Sequence, residues 1–276
     1  MSTQQLNAAE YEQFKEFLEK SCGLVLGDNK HYLVTSRLTG LLDEYRVGSV
    51  GELIKLLVSR PPMGMKERII EAMTTNETFW FRDGFPFDIL KNRLYPELDQ
   101  GRQIKIWSAA CSTGQEAYSI SMTAEEYRAA NPGKLRGDVR IVGTDISPAV
   151  VKQAQQGRYD HLAMTRGLSP ERKQKFFRQI DEKTWEVIPQ IKTRASFRTL
   201  NLLESYRALG KFDIVFCRNV LIYFSAENKK DIINRIAEVL NPRGYLFLGA
   251  SESITSYSDA FEMIRCNPGV LYRLKQ

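Results

Sequence analysis

The sequence predicts an α/β fold: a mostly parallel sheet with an inserted small β subdomain, preceded by a small all-α N-terminal domain. Residues 1–75 show apolar residues at helical spacing and no strand pattern, whereas strands and helices alternate from residue 89 onward. Residues 169–200 interrupt that alternation. We therefore predict a helical domain (1–75), a linker (76–88) and an α/β domain (89–276) with its β insert at about 180–200.

The helical domain is predicted from capping signals. Asn7, with Glu10 three residues later, predicts a capping box at the start of the first helix. Asp28 is the expected cap of a second helix, and Ser49 is that of a third, which ends at Pro61-Pro62. A fourth helix completes what we expect to be a small bundle.

Strand and helix patterns alternate after the linker, which predicts the mostly parallel sheet. Its predicted strands are Ile104–Ala109, Val139–Thr144, Phe212–Cys217 and Tyr245–Gly249, and a hairpin from Phe261 to Leu274 adds an antiparallel edge. Ser147-Pro148 marks a helix start, with Ser as the cap. In the insert, Thr184–Ile188 and Ile191–Leu200 are predicted to be short strands.

Composition excludes several classes of protein. With 43% hydrophobic and 26% charged residues, the 276-residue chain matches a globular protein. It has no apolar run near the roughly 20 residues of a membrane helix, and its start lacks the regions of a signal peptide. Four scattered cysteines and two histidines form no zinc motif or redox pair. We therefore expect a soluble, cytoplasmic protein without a metal site or direct membrane insertion.

The net charge of +6 is concentrated in one region. Residues 1–75 carry 9 Lys and Arg against 10 Asp and Glu, whereas residues 152–211 carry 13 against 6. Such a basic block favours an anionic partner, either a nucleic acid or an acidic protein surface. A solvated surface would produce the same pattern, so the charges alone leave these interpretations open.

Small residues follow the first predicted strand. The loop from Ala110 to Glu116 lets a ligand approach the backbone at a helix N-terminus. Asp145 ends the second strand about 30 residues later, where a carboxylate can accept both ribose hydroxyls. Together they indicate a nucleotide-like ligand. The alternatives are a structural turn at Gly114 and a helix cap at Asp145, although Ser147 is available as that cap.

Two further segments carry polar residues suited to this site. The third strand is followed by Arg218-Asn219 and by Tyr223, at the sheet end where open α/β folds bind ligands; a core role for Tyr223 is the alternative. The linker holds Phe79-Trp80-Phe81, which is costly to leave in water. Either this segment docks the domains together, or it brings Asn76 and Arg82 over the ligand cleft.

Four ordered motifs resemble the CheR-type chemotaxis receptor methyltransferases, and the resemblance covers almost the whole chain. The motifs are Asn-Glu-Thr-Phe-Trp-Phe-Arg at 76–82, Ser-Ala-Ala-Cys-Ser-Thr-Gly-Gln-Glu-Ala-Tyr-Ser at 108–119, Gly-Thr-Asp-Ile-Ser at 143–147 and Cys-Arg-Asn-Val-Leu-Ile-Tyr-Phe at 217–224.

The resemblance implies a class I methyltransferase (Rossmann-like) sheet that binds S-adenosyl-L-methionine. The implied reaction is methyl esterification of glutamate side chains on chemoreceptor cytoplasmic helical domains, with S-adenosyl-L-homocysteine as the product. Arg82 and Tyr223 would be catalytic. The implied cofactor-binding residues are Asn76, Thr78, Arg82, Glu116, Asp145, Asn201, Leu202, Arg218 and Asn219.

The chain departs from the family in two places. Some members bind a receptor C-terminal pentapeptide through a longer, glycine-rich loop, but Gln179–Thr184 has no glycine, which argues against tethering. The second helix keeps Lys30 and Arg37 but has Gly40 and Asp43 further on, where the family presents basic residues to the receptor.

Two other functions stay open at this stage. The basic block suggests a nucleic-acid methyltransferase, but the chain lacks the Asn-Pro-Pro-Tyr or Asp-Pro-Pro-Tyr tetrapeptide of amino-methylating enzymes, so we expect no nucleic-acid partner. A non-catalytic adaptor that binds S-adenosylmethionine is also possible, because binding residues say nothing about turnover.

Overall fold

The computed structural model describes residues 6–276, so the first five residues of the predicted helical domain lie outside the described part. The chain divides into two compact units. One contains the residues up to Thr75 together with Tyr223–Asn228, and the other contains Asn76–Ile222 and Lys229–Gln276. Nothing in the sequence pattern indicated that residues 223–228 group with the N-terminal unit.

The N-terminal unit is helical, as predicted. Its helices are α1 (Ala8–Cys22), α2 (His31–Leu38), α3 (Leu42–Tyr45), α4 (Val50–Ser59) and α5 (Met65–Met73). The predicted capping box is present: the Asn7 side chain accepts a hydrogen bond from Glu10 N at 2.9 Å, and Asn7 N donates to Glu10 Oε2 at 3.2 Å. Ser49 caps α4 through Glu52 N at 3.2 Å.

The predicted cap of the second helix is wrong. Lys30 precedes α2 and makes no side-chain cap, whereas Asp28 forms an ion pair with Lys15 at 2.7 Å. A lysine amine within reach offers the Asp28 carboxylate a charged partner instead of a helix N-terminus. The helical pattern is then interrupted by a 3₁₀ turn, Thr39–Leu41, whose glycine at position 40 has a low helix propensity.

The second unit alternates strands and helices. Its strands are β1 (Ile104–Ala109), β2 (Val139–Asp145), β3 (Arg158–Asp160), β4 (Phe177–Gln179), β5 (Thr184–Val187), β6 (Ala195–Thr199), β7 (Phe212–Cys217), β8 (Leu240–Leu248), β9 (Phe261–Arg265) and β10 (Val270–Leu274). The remaining α-helices are α6 (Phe85–Ile89), α7 (Tyr95–Leu98), α8 (Gln115–Ala130), α9 (Pro148–Gln156), α10 (His161–Thr165), α11 (Pro170–Phe176), α12 (Pro189–Lys192) and α13 (Ala226–Val239), whose first residues group with the helical unit. A π-helix, Leu90–Leu94, joins α6 to α7.

The main sheet has seven strands in the order β6-β2-β1-β7-β8-β10-β9. The first five strands of this order run parallel, and the C-terminal hairpin is antiparallel, as predicted. Strand β7 is buried throughout and lies in the middle of the sheet, between β1 and β8. The carboxyl ends of β2, β1 and β7 therefore meet at one edge of the sheet.

The insert is a separate three-stranded sheet in the order β3-β5-β4. The sequence assigned Ile191–Leu200 to it, but β6 instead pairs in parallel with β2 in the main sheet. Gly143 explains this placement: a Cβ there would lie 2.5 Å from the Phe197 ring, so only glycine lets β6 close onto β2. Residues 158–160 and 177–179 supply the other two strands of the insert sheet.

Within residues 6–276, no helix is both long and apolar enough to cross a membrane.

Candidate active site

The loop after β1 is folded tightly against the end of β2. Ala110 and Ser112 have positive φ angles of 55° and 49°. Cys111 N donates to the Thr144 carbonyl at 2.9 Å, and Ser112 N donates to Asp145 Oδ2 at 2.8 Å. The loop backbone is thus bonded to the end of the neighbouring strand, where the sequence places a ligand.

Asp145 is buried, and its carboxylate accepts backbone amides on two sides. Besides the bond from Ser112, its Oδ1 accepts from Ser147 N at 3.1 Å. Burial raises the pKa of the Asp145 carboxyl above its ordinary value, and these backbone bonds oppose that rise. The α9 cap is Ser147, whose side chain accepts from Val150 N, so the alternative that Asp145 is merely that cap is not needed.

Arg218, at the end of β7, joins the sheet to the linker. Its guanidinium is 2% exposed and lies 2.9 Å from Glu116 Oε2 and 2.6 Å from Asp83 Oδ2. The same group donates to the Arg82 carbonyl at 2.9 Å, and Ser108 Oγ donates to the other Glu116 oxygen at 2.7 Å. Two carboxylates thus compensate one buried cation, and the Arg218 side chain is largely occupied by protein partners.

The linker is bonded to this edge at several points. Ser112 Oγ donates to the Asn76 carbonyl at 2.9 Å, and Phe81 N donates to Ser119 Oγ of α8 at 3.1 Å. Thr78 is half-buried between these points. The Arg82 guanidinium lies 5.3 Å from the centre of the Phe79 ring. The structure therefore brings the predicted residues of the linker to the loop and to the end of β7.

The loop after β7 depends on a residue that the sequence analysis missed. Glu252 Oε2 accepts from Asn219 N at 2.7 Å and from Gly249 N at 2.8 Å, while Oε1 accepts from Ile222 N at 3.2 Å. Asn219 has a φ of 57°, and a Cβ at Gly249 would lie 2.7 Å from its amide nitrogen. No local motif marks the role of Glu252 in this loop, because Asn219 N and Ile222 N lie 33 and 30 residues from it in sequence.

Asn201 and Leu202 follow β6 beside the end of β2. Leu200 N donates to the Asp145 carbonyl at 2.9 Å, which brings this segment to the same sheet edge. The Asn201 side chain accepts from Leu203 N at 3.0 Å, and Leu202 is buried.

Tyr223 belongs to the helical unit rather than to the unit that holds this edge. It ends the 3₁₀ turn Leu221–Tyr223, is half-buried, and its carbonyl accepts from Val25 N at 2.9 Å. The predicted role of Tyr223 beside Arg82 stays a prediction.

The edge offers what a cofactor of this class needs. Among the described residues, Asn219 Oδ1 and Arg218 Nε are buried without a hydrogen-bond partner, so an acceptor and a donor stand unused at the end of β7. Asp145 adds a buried carboxylate at the end of β2. A polar ligand with hydroxyl and amino groups fits this set, as S-adenosylmethionine would. Among residues 6–276, no cluster of His, Cys, Asp and Glu could hold a metal ion.

Comparisons with known proteins agree with this geometry. A family model described as "CheR methyltransferase, SAM binding domain" matches residues 76–270, and one described as "CheR methyltransferase, all-alpha domain" matches residues 9–74. Chemotaxis protein methyltransferase 1 of Pseudomonas aeruginosa is 53% identical over 270 residues, which are 97% of this chain and 98% of the relative.

Two other relatives match to a similar extent. Chemotaxis protein methyltransferase Cher2 of Pseudomonas putida is 50% identical over 278 residues and covers 100% of both chains. A chemotaxis protein methyltransferase of Vibrio parahaemolyticus is 50% identical over 267 residues, 96% of this chain and 97% of the relative. The chain therefore belongs to the CheR methyltransferase family, with an all-α domain followed by a domain that binds S-adenosylmethionine.

Proposed function

We propose that this protein transfers a methyl group to glutamate side chains on the cytoplasmic helical domains of chemoreceptors, and so acts in the cytoplasm during chemotactic adaptation. The relatives are named chemotaxis protein methyltransferases, and they match along nearly their whole length. The observation that carries the proposal is the linker: Asn76 is bonded to the loop after β1, and Arg82 to the end of β7.

The proposed reaction does not require the protein to transfer a proton. A glutamate side chain has a reference pKa of about 4.3 and is ionised at neutral pH, so it is already a nucleophile. Bound S-adenosylmethionine supplies an electrophilic methyl group on a positively charged sulfur. An O–C bond forms as the C–S bond breaks, which gives a methyl ester and S-adenosylhomocysteine. No general base is needed.

The residues of the chain then have to align the reactants and exclude water. We assign Asp145 to the ribose hydroxyls, and Asn219 and the backbone around Leu202 to the rest of the cofactor. Arg82 presents a planar fork that matches a carboxylate, and we assign it to the incoming glutamate and the reacting centre. Glu116 and Arg218 form an ion pair with each other. We therefore assign them to holding the cofactor-binding residues in place.

A labelled-methyl assay tests the proposal. The protein is incubated with S-adenosylmethionine labelled in its methyl group and with receptor-rich membranes, and base-labile methanol is collected. Methanol release that disappears when the receptor glutamates are replaced by alanine is the expected result. Label that enters added duplex DNA or RNA would instead indicate a nucleic-acid methyltransferase. Tight cofactor binding without transfer to any substrate would indicate an adaptor.

A further inference from the structure

The insert and the helix α10 beside it pack against the linker at Trp80. The Trp80 indole donates to the Ala163 carbonyl at 2.9 Å, and its ring packs edge-on against Tyr159 and Phe177 at centroid distances of 4.8 and 5.0 Å. A Cβ at Gly167 would lie 2.0 Å from the Trp80 carbonyl oxygen. The linker backbone and the loop after α10 are therefore packed in direct contact, with Trp80 fully buried.

Arg166, in that loop, reaches the residues on either side of Thr78. Its guanidinium lies 4.2 Å from the centre of the Phe79 ring, and its Nη1 lies 2.8 Å from Glu77 Oε1. Its carbonyl accepts a hydrogen bond from Trp80 N at 3.3 Å. Arg82 uses the same ring, at 5.3 Å, and its Nη1 lies 3.5 Å from the Glu77 carbonyl.

One aromatic ring thus carries two guanidinium groups. Each cation is attracted to the ring, but the two cations repel each other unless an anion offsets one of them. The Glu77 carboxylate does so by pairing with Arg166. Arg166 and Glu77 therefore form a neutral pair that fixes Phe79, and the fixed ring restricts the long side chain of Arg82.

We propose that Arg166 is a positioning residue for methyl transfer: through Phe79 it holds Arg82 in the orientation that the reaction needs. This inference rests on the proposed function, in which Arg82 acts at the reacting centre. Small displacements of an aligned group cost up to about 100-fold in rate, so loss of the support should appear in kcat.

The test compares two exposed arginines. Arg166 and Arg158 have side chains that are 57% and 56% exposed, and both form an ion pair with a glutamate, but Arg158 pairs with Glu186 of the insert sheet. We expect Arg166→Ala to lower kcat about 10-fold while the KM values for cofactor and receptor change less than about 2-fold. Arg158→Ala should retain the wild-type kcat, and Arg166→Lys, which keeps the pair with Glu77 but not the planar stack, should fall between.

A double variant tests the route through the ring. In a Phe79→Leu background, adding Arg166→Ala should lower kcat by less than about 2-fold, because the contact it removes is already gone. If Arg166→Ala still lowered kcat about 10-fold in the Phe79→Leu background, the inference would be overturned. So would a raised receptor KM with an unchanged kcat, since Arg166 would then bind the receptor itself.

Hydrogen exchange supplies a readout that needs no substrate. Peptides covering residues 76–83 should exchange faster in Arg166→Ala than in wild type or in Arg158→Ala. If Arg166→Ala speeds exchange but the wild-type protein transfers no methyl group, Arg166 still stabilises the linker and only the proposed function is wrong. Unchanged exchange together with unchanged kcat in an active protein would overturn the inference alone.

Discussion

Asp145 has a structural task, and we propose a binding task for the same side chain. Its carboxylate fastens the loop after β1 through Ser112 N and accepts Ser147 N, and the same carboxylate is assigned to the ribose. A carboxylate has about four acceptor sites, so the loop bonds leave capacity for a ligand hydroxyl.

Asp145→Asn should weaken S-adenosylmethionine binding by roughly 1–3 kcal/mol, because the amide replaces one acceptor by a donor and removes the charge. Calorimetry measures the loss. An unchanged dissociation constant in a folded variant would mean that Asp145 serves only the loop.

The same residue predicts a pH dependence. Because burial raises the pKa of Asp145, its carboxylate gains a proton at a higher pH than a carboxyl with the ordinary value of 3.8. Protonation removes an acceptor, so cofactor affinity should fall on acidification at a higher pH than titration of an ordinary aspartate would produce. Asp145→Asn should flatten that part of the profile, and a wild-type affinity constant down to the ordinary carboxyl range would contradict the assignment.

Arg82→Lys should lower turnover by about 100-fold or more while cofactor affinity changes much less. Lysine keeps the charge but loses the planar fork and its packing on Phe79. Melting temperature and turnover are measured on one preparation. A destabilised variant with full activity would mean that Arg82 only docks the linker.

At the scale of elements, the hairpin between β4 and β5 is short and closed. Ile180 N donates to the Thr184 carbonyl at 3.0 Å, and Lys183 N donates to Asp181 Oδ1 at 2.8 Å. The turn thus bonds to itself, and residues 179–184 contain no glycine.

We expect a synthetic receptor C-terminal pentapeptide to show no micromolar binding, because the turn that would receive it is closed by its own bonds. Titration calorimetry checks this. A saturable titration with a micromolar dissociation constant, absent for a scrambled peptide, would show that the shorter turn still binds the pentapeptide.

The two basic residues predicted to face the receptor, Lys30 before α2 and Arg37 within it, differ in their surroundings. Lys30 is exposed and Tyr32 beside it is 82% exposed, whereas Arg37 donates to the Thr74 carbonyl at 3.1 Å and to Thr75 Oγ1 at 2.8 Å. Arg37 thus closes the end of α5 within its own unit, which leaves fewer free cations on this helix than the sequence indicated.

Glu252 holds the segment after β7 through Asn219 N and Ile222 N and also accepts from Gly249 N in its own turn, so Glu252→Gln should destabilise the fold by roughly 1–3 kcal/mol. The amide keeps one acceptor oxygen and turns the other into a donor that faces N–H groups. Denaturant unfolding measures the effect, with Glu182→Gln on the exposed insert turn as the control. Equal stability of the two variants would contradict the role of Glu252.

At the scale of the molecule, the basic block is compensated by acids from elsewhere in the chain. Seven of its cations form ion pairs: Arg158, Arg166, Arg172, Arg178, Lys192, Arg194 and Arg207. Glu77, Glu125, Glu126, Asp138 and Glu238 lie outside the block and supply partners. The local excess of charge therefore says less about an anionic partner than the count of residues suggested.

S-adenosylhomocysteine should bind at least as tightly as S-adenosylmethionine. It keeps the same polar groups and lacks the sulfonium charge, which costs free energy to bury in a protein with a net charge of +6. Competition calorimetry and product inhibition measure the ratio. A product affinity tenfold weaker than that of the cofactor would contradict this view of the pocket.

Local signals predicted most of the fold but only part of the site. Caps at Asn7, Ser49 and Ser147 and the alternation of strands are short-range patterns, and the structure confirms them. The sheet that a strand joins depends on packing between distant residues, which is why Ile191–Leu200 was misplaced. The role of Glu252 escapes a local pattern for the same reason, since its carboxylate accepts the amides of Asn219 and Ile222 from the loop after β7.

The membership of Tyr223–Asn228 in the helical unit matters for anyone who recombines these proteins. A chimera cut only at Thr75 would pair the helices of one parent with residues 223–228 of another, including the bond from Val25 N to the Tyr223 carbonyl. An exchange of the whole helical unit between relatives therefore has to transplant two pieces of chain, the N-terminal stretch and this hexapeptide. Because the two pieces pack within one unit, substitutions in one piece should be accompanied by substitutions in the other among relatives.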